Sequence, residues 1–275
     1  MHTKGACMQY DTTSVTIGCI GFGAMGSAIA QGLIASGSVS ADHIVACAAH
    51  YKPLRDKAQA LGIRAVRSIQ EVIEQADVLI LAVKPYVYEA VCEQIREHVV
   101  QRSTLVVSIA AGMHVEQMIA MLGEDAHVVC TVPNTPIAVG KGIMVTEATD
   151  TLTDEQRELF DALFSTVALI ERVDTAHLSI AGTVAGCAPA YVAMFMEALA
   201  DAGVKYGLTR ATAYRLASQM VAGTGQLQRE TGTLPAAMKD AVCSPGGTTI
   251  RGVAALERAG FRGAIIDAID AIEGK

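Results

Sequence analysis

Through its first 173 residues the chain alternates short apolar runs with amphipathic stretches, and after that the alternation stops. Residues 15–20, 44–48, 78–83, 105–109 and 128–131 are largely apolar at successive positions, the pattern of strands covered on both faces. Between them, residues 27–35, 54–61, 68–75, 86–98 and 115–122 have the length and periodicity of helices. Strand, helix, strand in repetition predicts a parallel sheet with right-handed crossovers. A further strand-like pair, 142–146 and 168–173, flanks a helix beginning near Thr153, where Gln156 completes a capping box.

From residue 174 onward strand candidates vanish, and the chain reads as helix with breaks at 186–189, 207–209, 231–235 and 244–247. The boundary is therefore expected at 173/174, with an α/β domain over 1–173 and an all-helical one over 174–275. No Pro-rich or Ser-rich linker separates them, which predicts a shared long helix or tight packing. The stretch 183–200 is apolar enough to raise a membrane question, but it carries Gly186, Pro189 and Glu197 and lacks basic flanks. A small-residue helix buried in a subunit interface is the better reading. Tyr191, Phe195 and Leu199 recur at helical spacing, as a core stripe rather than cofactor contacts.

Composition narrows the function classes. Hydrophobic residues make up 51% and charged residues 18%, enough for a large core and too apolar for disorder. A net charge of −7 without a Lys/Arg run argues against nucleic-acid binding. Cys7, Cys19, Cys47, Cys92, Cys130, Cys187 and Cys243 are odd in number and lack metal-ligand spacing. They predict reduced thiols in a cytoplasmic protein, with no disulfide framework and no metal site. Residues 1–14 are polar and lack the apolar stretch of a signal peptide.

The first strand runs directly into Gly21-Phe22-Gly23-Ala24-Met25-Gly26, and a helix follows. In that context G-x-G-x-x-G is a dinucleotide seat. Its glycines give a tight turn, backbone access to a pyrophosphate, and close packing of helix on strand. An NAD site usually carries an acid at the end of the second strand, but here the chain reads Ala48-Ala49-His50-Tyr51-Lys52, then Arg55. His50, Lys52 and Arg55 can meet a 2′-phosphate, which favours NADPH and leaves NADH open. Equally, Lys52 and Arg55 can be the solvated start of a helix.

Four more segments complete the picture: Ala82-Val83-Lys84-Pro85, Ser108-Ile109-Ala110-Ala111-Gly112, Val132-Pro133-Asn134-Thr135-Pro136, and Lys239-Asp240-Ala241-Val242-Cys243-Ser244-Pro245-Gly246-Gly247-Thr248-Thr249-Ile250. The first three follow strands, at the sheet edge where open α/β folds bind ligands. The last reads as a turn feeding a helix start, which can seat a carboxylate or be an ordinary cap. In order and spacing these segments resemble pyrroline-5-carboxylate reductases from end to end.

That resemblance implies an α/β fold, an N-terminal Rossmann-type doubly wound sheet followed by an all-α dimerisation domain. It implies reduction of 1-pyrroline-5-carboxylate to L-proline with NAD(P)H, by a homodimer that assembles further into a ring. Ala82, Val83, Lys84, Pro85, Ala110 and Ala111 would line the dinucleotide, and Asn134 would lie near the nicotinamide end. Lys84 can steer phosphates or cap a helix. Ser244, Gly246, Gly247, Thr248 and Thr249 would hold the substrate carboxylate, with Thr249 close to the ring nitrogen that gains a proton. The chain departs from the family at Ala185-Gly186-Cys187-Ala188-Pro189-Ala190-Tyr191, where Ser-Gly-Ser-Gly-Pro-Ala-Tyr is usual, and at Cys243, usually Ser or Thr. These swaps remove hydrogen-bonding capacity and bear on substrate positioning. Hydroxyacid dehydrogenases share the two-domain plan but place a catalytic Lys on the joining helix, and residues 178–191 contain none. A dinucleotide-binding sensor is the non-catalytic rival.

Overall fold

The computed structural model describes residues 12–274, so Cys7 and most of the polar N-terminal stretch lie outside the described residues. The chain forms two compact units, Met1–Gly186 and Cys187–Lys275. The packing boundary thus falls later than the change of sequence pattern at 173/174. The reason is local: Leu178 and Ala185 close over Val145, with Val132 and Ile143 packed around them.

The first unit holds one sheet of β1 (Ile17–Ile20), β2 (Ile44–Cys47), β3 (Arg64–Ala65), β4 (Val78–Leu81), β5 (Leu105–Ser108), β6 (His127–Pro133), β7 (Gly142–Glu147) and β8 (Ala168–Val173). Its order is β3-β2-β1-β4-β5-β6-β7-β8. The helices are α1 (Ala24–Ser36), α2 (Tyr51–Leu61), α3 (Ile69–Ile73), α4 (Tyr88–Gln101), α5 (Val115–Leu122), α6 (Asp154–Phe164) and α7 (Leu178–Gly182). All the predicted strands form. β3 escapes the pattern because it is a two-residue edge strand with little burial.

Alternate residues of each central strand feed two separate cores. Ile17, Ile44, Ile80 and Val107 join one with α1 and α6, while Val45, Leu79, Leu81 and Val106 join the other with α4 and α5. This two-sided burial explains the continuous apolar runs. The sheet is not parallel throughout, however: β7 runs antiparallel to β6. Only the short turn Thr135–Val139 and three further residues connect them, too few for the dozen or so residues of a parallel crossover. The expected capping box at Thr153 and Gln156 is present, and opens α6.

The second unit comprises α8 (Ala188–Lys205), α9 (Arg210–Thr231), α10 (Pro235–Ala241), α11 (Thr248–Arg258) and α12 (Phe261–Glu273). The predicted break at 186–189 is instead a wider π-helical turn, Thr183–Cys187, through which helix continues; Pro189 is tolerated in the first turn of α8. A break not foreseen separates α11 from α12 at Gly260, which adopts a left-handed φ of 76°. Among the described residues of this unit, only Ala200, Ala213 and Ala217 are buried apolar residues. The Tyr191/Phe195/Leu199 stripe is correspondingly only part core. Phe195 packs on Phe261 with centroids 6.2 Å apart, while Leu199 stays exposed. Thr175–Lys205 is long and apolar enough to cross a membrane by length and composition, and 22% of its most apolar window is buried.

Candidate active site

β1 has β2 on one side and β4 on the other, with chain order reversing between them. Open α/β sheets bind ligands at such a switch point, outside the carboxyl ends of the strands. The three glycines there do three different jobs. Gly21 has φ 93°, and a Cβ would come within 2.6 Å of the Ala82 carbonyl oxygen, so the turn against β4 admits no side chain. A Cβ on Gly26 would lie 2.9 Å from the Gly21 oxygen, so this glycine lets α1 close on β1. Gly23 has an ordinary φ of −77° and nothing within 4 Å of its would-be Cβ. Its side faces open space, where a pyrophosphate can approach the backbone. Phe22 is buried beneath the turn, while Ala24 and Met25 open α1, whose first turn contains no acid. The exposed N–H groups and the dipole of α1 therefore favour an anion. The site fits a dinucleotide.

On the β2 side, the Gly21 amide donates to the Cys47 carbonyl at 2.9 Å. His50 caps α2 by position but without a side-chain bond, and it and Lys52 are exposed. Arg55 is held by Asp56 at 2.8 Å, so the solvated-helix reading suits it. Two cations not singled out in the sequence also lie here. The Lys57 ammonium donates to the Gly23 carbonyl at 3.4 Å, one turn too far along α2 for the motif to flag it. The Arg67 guanidinium lies over the Tyr51 ring, 4.1 Å from its centroid.

On the other side of β1, Ala82 and Val83 are half-buried against the phosphate turn, followed by exposed Lys84 and Pro85. Lys84 stands at the N-cap of the turn Pro85–Val87, yet its side chain makes no capping bond. Behind these loops, the buried Tyr88 hydroxyl donates to the Leu81 carbonyl at 2.8 Å and accepts from Ser108 Oγ at 3.2 Å. Burial pushes this phenol up to about 12. The pair ties the carboxyl ends of β4 and β5 together, just before the loop bearing buried Ala110 and exposed Ala111. Asn134 is also buried, but it acts as a clamp. Its Nδ2 donates to the Ala185 carbonyl at 2.9 Å, and its Oδ1 accepts from the Ile143 amide at 2.8 Å. The family departure at Ala185 thus leaves intact a bond made by the backbone.

In the second unit, Gly247 N–H closes a turn onto the Ser244 carbonyl at 3.0 Å, and Gly246 takes a left-handed φ of 67°. A Cβ on Gly247 would collide with Ser244 Oγ. Gly247 caps α11, whose first turn holds exposed Thr248 and Thr249 and no acid. Two donor hydroxyls and free helix N–H groups can thus meet a carboxylate. Cys243 is half-buried just before the turn. Of the histidines, His127 Nδ1 meets the Thr151 carbonyl at 3.0 Å and His177 Nδ1 meets Asp174 at 2.7 Å, both local structural contacts.

Residues 175–275 match the family model for pyrroline-5-carboxylate reductase dimerisation, and residues 16–112 match that for NADP oxidoreductase, coenzyme F420-dependent. The pyrroline-5-carboxylate reductase of Treponema pallidum is 44% identical over 94% of this chain and 98% of its own. That of Escherichia coli K12 is 42% identical over 92% and 94%. Among solved structures, NADP-bound pyrroline carboxylate reductase of Plasmodium falciparum superposes with a TM-score of 0.84 at 27% identity, covering 95% of this chain and 96% of that one.

Proposed function

Because the chain belongs to the pyrroline-5-carboxylate reductase family, we propose that it reduces 1-pyrroline-5-carboxylate to L-proline with NADPH, the last step of proline biosynthesis. The glycine cradle at the β1/β4 switch point supports this reading: Gly21 and Gly26 let the turn and α1 close tightly, and Gly23 leaves open space at the N-terminus of α1. The reduced nicotinamide, when bound, supplies the hydride that the imine carbon accepts. Gly21, Gly23 and the N-terminus of α1 hold the pyrophosphate, flanked by Ala82–Pro85 and by Ala110 and Ala111. Asn134 acts at the nicotinamide end through the loop it fixes.

The α11 N-terminus, with Ser244, Gly246, Gly247, Thr248 and Thr249, holds the substrate carboxylate. As the C=N bond becomes CH–NH, the ring nitrogen must carry a proton, and the Thr249 hydroxyl, directly or through water, holds it there. The helical domain from 174 onward makes the homodimer, whose contact covers the apolar faces of α8 to α12, and such dimers assemble into a larger ring. The enzyme works in the cytoplasm.

The test is NADPH oxidation by purified protein with and without pyrroline-5-carboxylate, comparing the wild type with Thr249→Ala. Substrate-dependent oxidation falling by roughly a hundredfold in the variant is the expected outcome, the lower range of proton-transfer effects. Unchanged turnover would remove Thr249 from the mechanism and keep the reaction. No oxidation with either nicotinamide by protein that still binds them would favour the sensor reading.

A further inference from the structure

We propose that Arg67, held over the ring of Tyr51, is the residue that reads the cofactor's 2′-phosphate and sets the preference for NADPH over NADH. The inference rests on the dinucleotide reading above and is independent of the imine substrate.

With the pyrophosphate at Gly21 and Gly23, the adenosine ribose falls over the carboxyl end of β2. Residues 48–54 there contain no acid to bind a ribose hydroxyl. Of the cations nearby, Arg55 is neutralised by Asp56 and Lys57 is turned toward the Gly23 carbonyl. Arg67 arrives from the neighbouring edge strand. The Val66 amide donates to the Ala46 carbonyl at 2.9 Å, which fixes the end of β3 beside that of β2.

Two features leave the guanidinium free for a ligand. First, Glu71 feels the Arg67 charge, but its hydrogen bonds go to the cap of α3 and none to the guanidinium. Its Oε1 accepts from the Ser68 hydroxyl at 2.8 Å and from the Ser68 and Arg67 amides at 3.1 and 3.2 Å, closing the cap of α3. Arg67 is in none of the salt bridges among the described residues. Second, the guanidinium carbon sits over the Tyr51 ring, 4.1 Å from its centroid, and a cation held against an aromatic face keeps N–H donors for phosphate oxygens. His50 and Lys52 are exposed and have no comparable anchor.

Calorimetric titration of the full chain with 2′,5′-ADP and with 5′-AMP tests this directly, alongside kcat/KM for NADPH and NADH. Arg67→Ala is expected to weaken 2′,5′-ADP by about ten- to a hundredfold, the worth of a charge-assisted contact, and to leave 5′-AMP alone. Arg67→Lys, which keeps charge but loses the fork, falls between. Tyr51→Leu costs roughly two- to fivefold by releasing the guanidinium. Equal weakening of both ligands, or no change in Arg67→Ala, overturns the proposal. So does full loss of discrimination in His50→Ala/Lys52→Ala with Arg67 intact. Selective loss of 2′,5′-ADP binding in a protein that reduces no pyrroline-5-carboxylate would sink the substrate reading alone.

Discussion

At the scale of single residues, Gly21 and Gly23 look alike in the motif but fail differently when a methyl is added. Gly21→Ala forces a left-handed backbone and a contact of 2.6 Å onto the β4 turn. It is expected to lower stability by about 1–3 kcal/mol, measured by urea denaturation. Gly23→Ala has an allowed φ and open space, so the same melt is expected to match the wild type. Its NADPH affinity should still fall at least tenfold, since the new methyl stands where the pyrophosphate meets the backbone. A stable Gly21→Ala, or a Gly23→Ala that binds normally, would show the cradle to be misassigned. The sequence motif lists both positions, and only the packing around them separates fold from ligand.

At the scale of elements, the central sheet stores polar groups that it protects from water. Tyr88 joins α4 to β4 and β5 through its hydroxyl, so Tyr88→Phe should cost about 1–2 kcal/mol and leave the Leu81 carbonyl short of a partner. A denaturation midpoint equal to the wild type would mean that the phenol bond adds nothing. Burial also pushes the Cys19 and Cys130 thiols up to about 12, and the Cys47 and Cys92 thiols to about 11, from an ordinary 9.0. Each group binds its proton more tightly folded than unfolded. Its contribution is therefore fully present below pH 9 and is lost as pH rises through 11 to 12. Stability should drop steeply above pH 9, and Cys92→Ala should flatten that slope even where it lowers the plateau. A midpoint constant from pH 8.5 to 11 would contradict the burial. These thiols are inert for the same reason.

At the scale of the whole molecule, the second unit cannot be understood from one chain. Leu216 and Met220 lie one turn apart on α9 and are 58% and 44% exposed, with Tyr214, Leu227, Ile266 and others open nearby in sequence or unit. Apolar faces of this extent mark association surfaces. The dimerisation family match over 175–275 identifies the occupant as a second copy of this chain. Leu216→Glu with Met220→Glu is expected to shift sedimentation from dimer to monomer, while 2′,5′-ADP binding, built from the first unit, persists. A dimer unaffected by both charges would move the interface elsewhere on the unit.

Much of this was legible in the sequence because its causes are local. Apolar runs announce β1, β2, β4 and β5, since burial on both faces demands them, and Thr153 with Gln156 announces α6. G-x-G-x-x-G and the 239–250 motif announce the two glycine turns that open α1 and α11, since each turn needs particular residue types at fixed spacing. What tertiary structure alone decided depends on residues distant in the chain. β7 turns antiparallel because its connection is short, and residues 178–186 pack on β7 rather than with the helices that follow. Asn134 spends its amide on Ala185 and Ile143, fifty-one and nine residues away. Arg67 reaches Tyr51 across two strand ends. Periodicity records which face of an element is buried; it carries no record of which distant partner will meet a polar side chain, because that is fixed only when the strands take their order in the sheet.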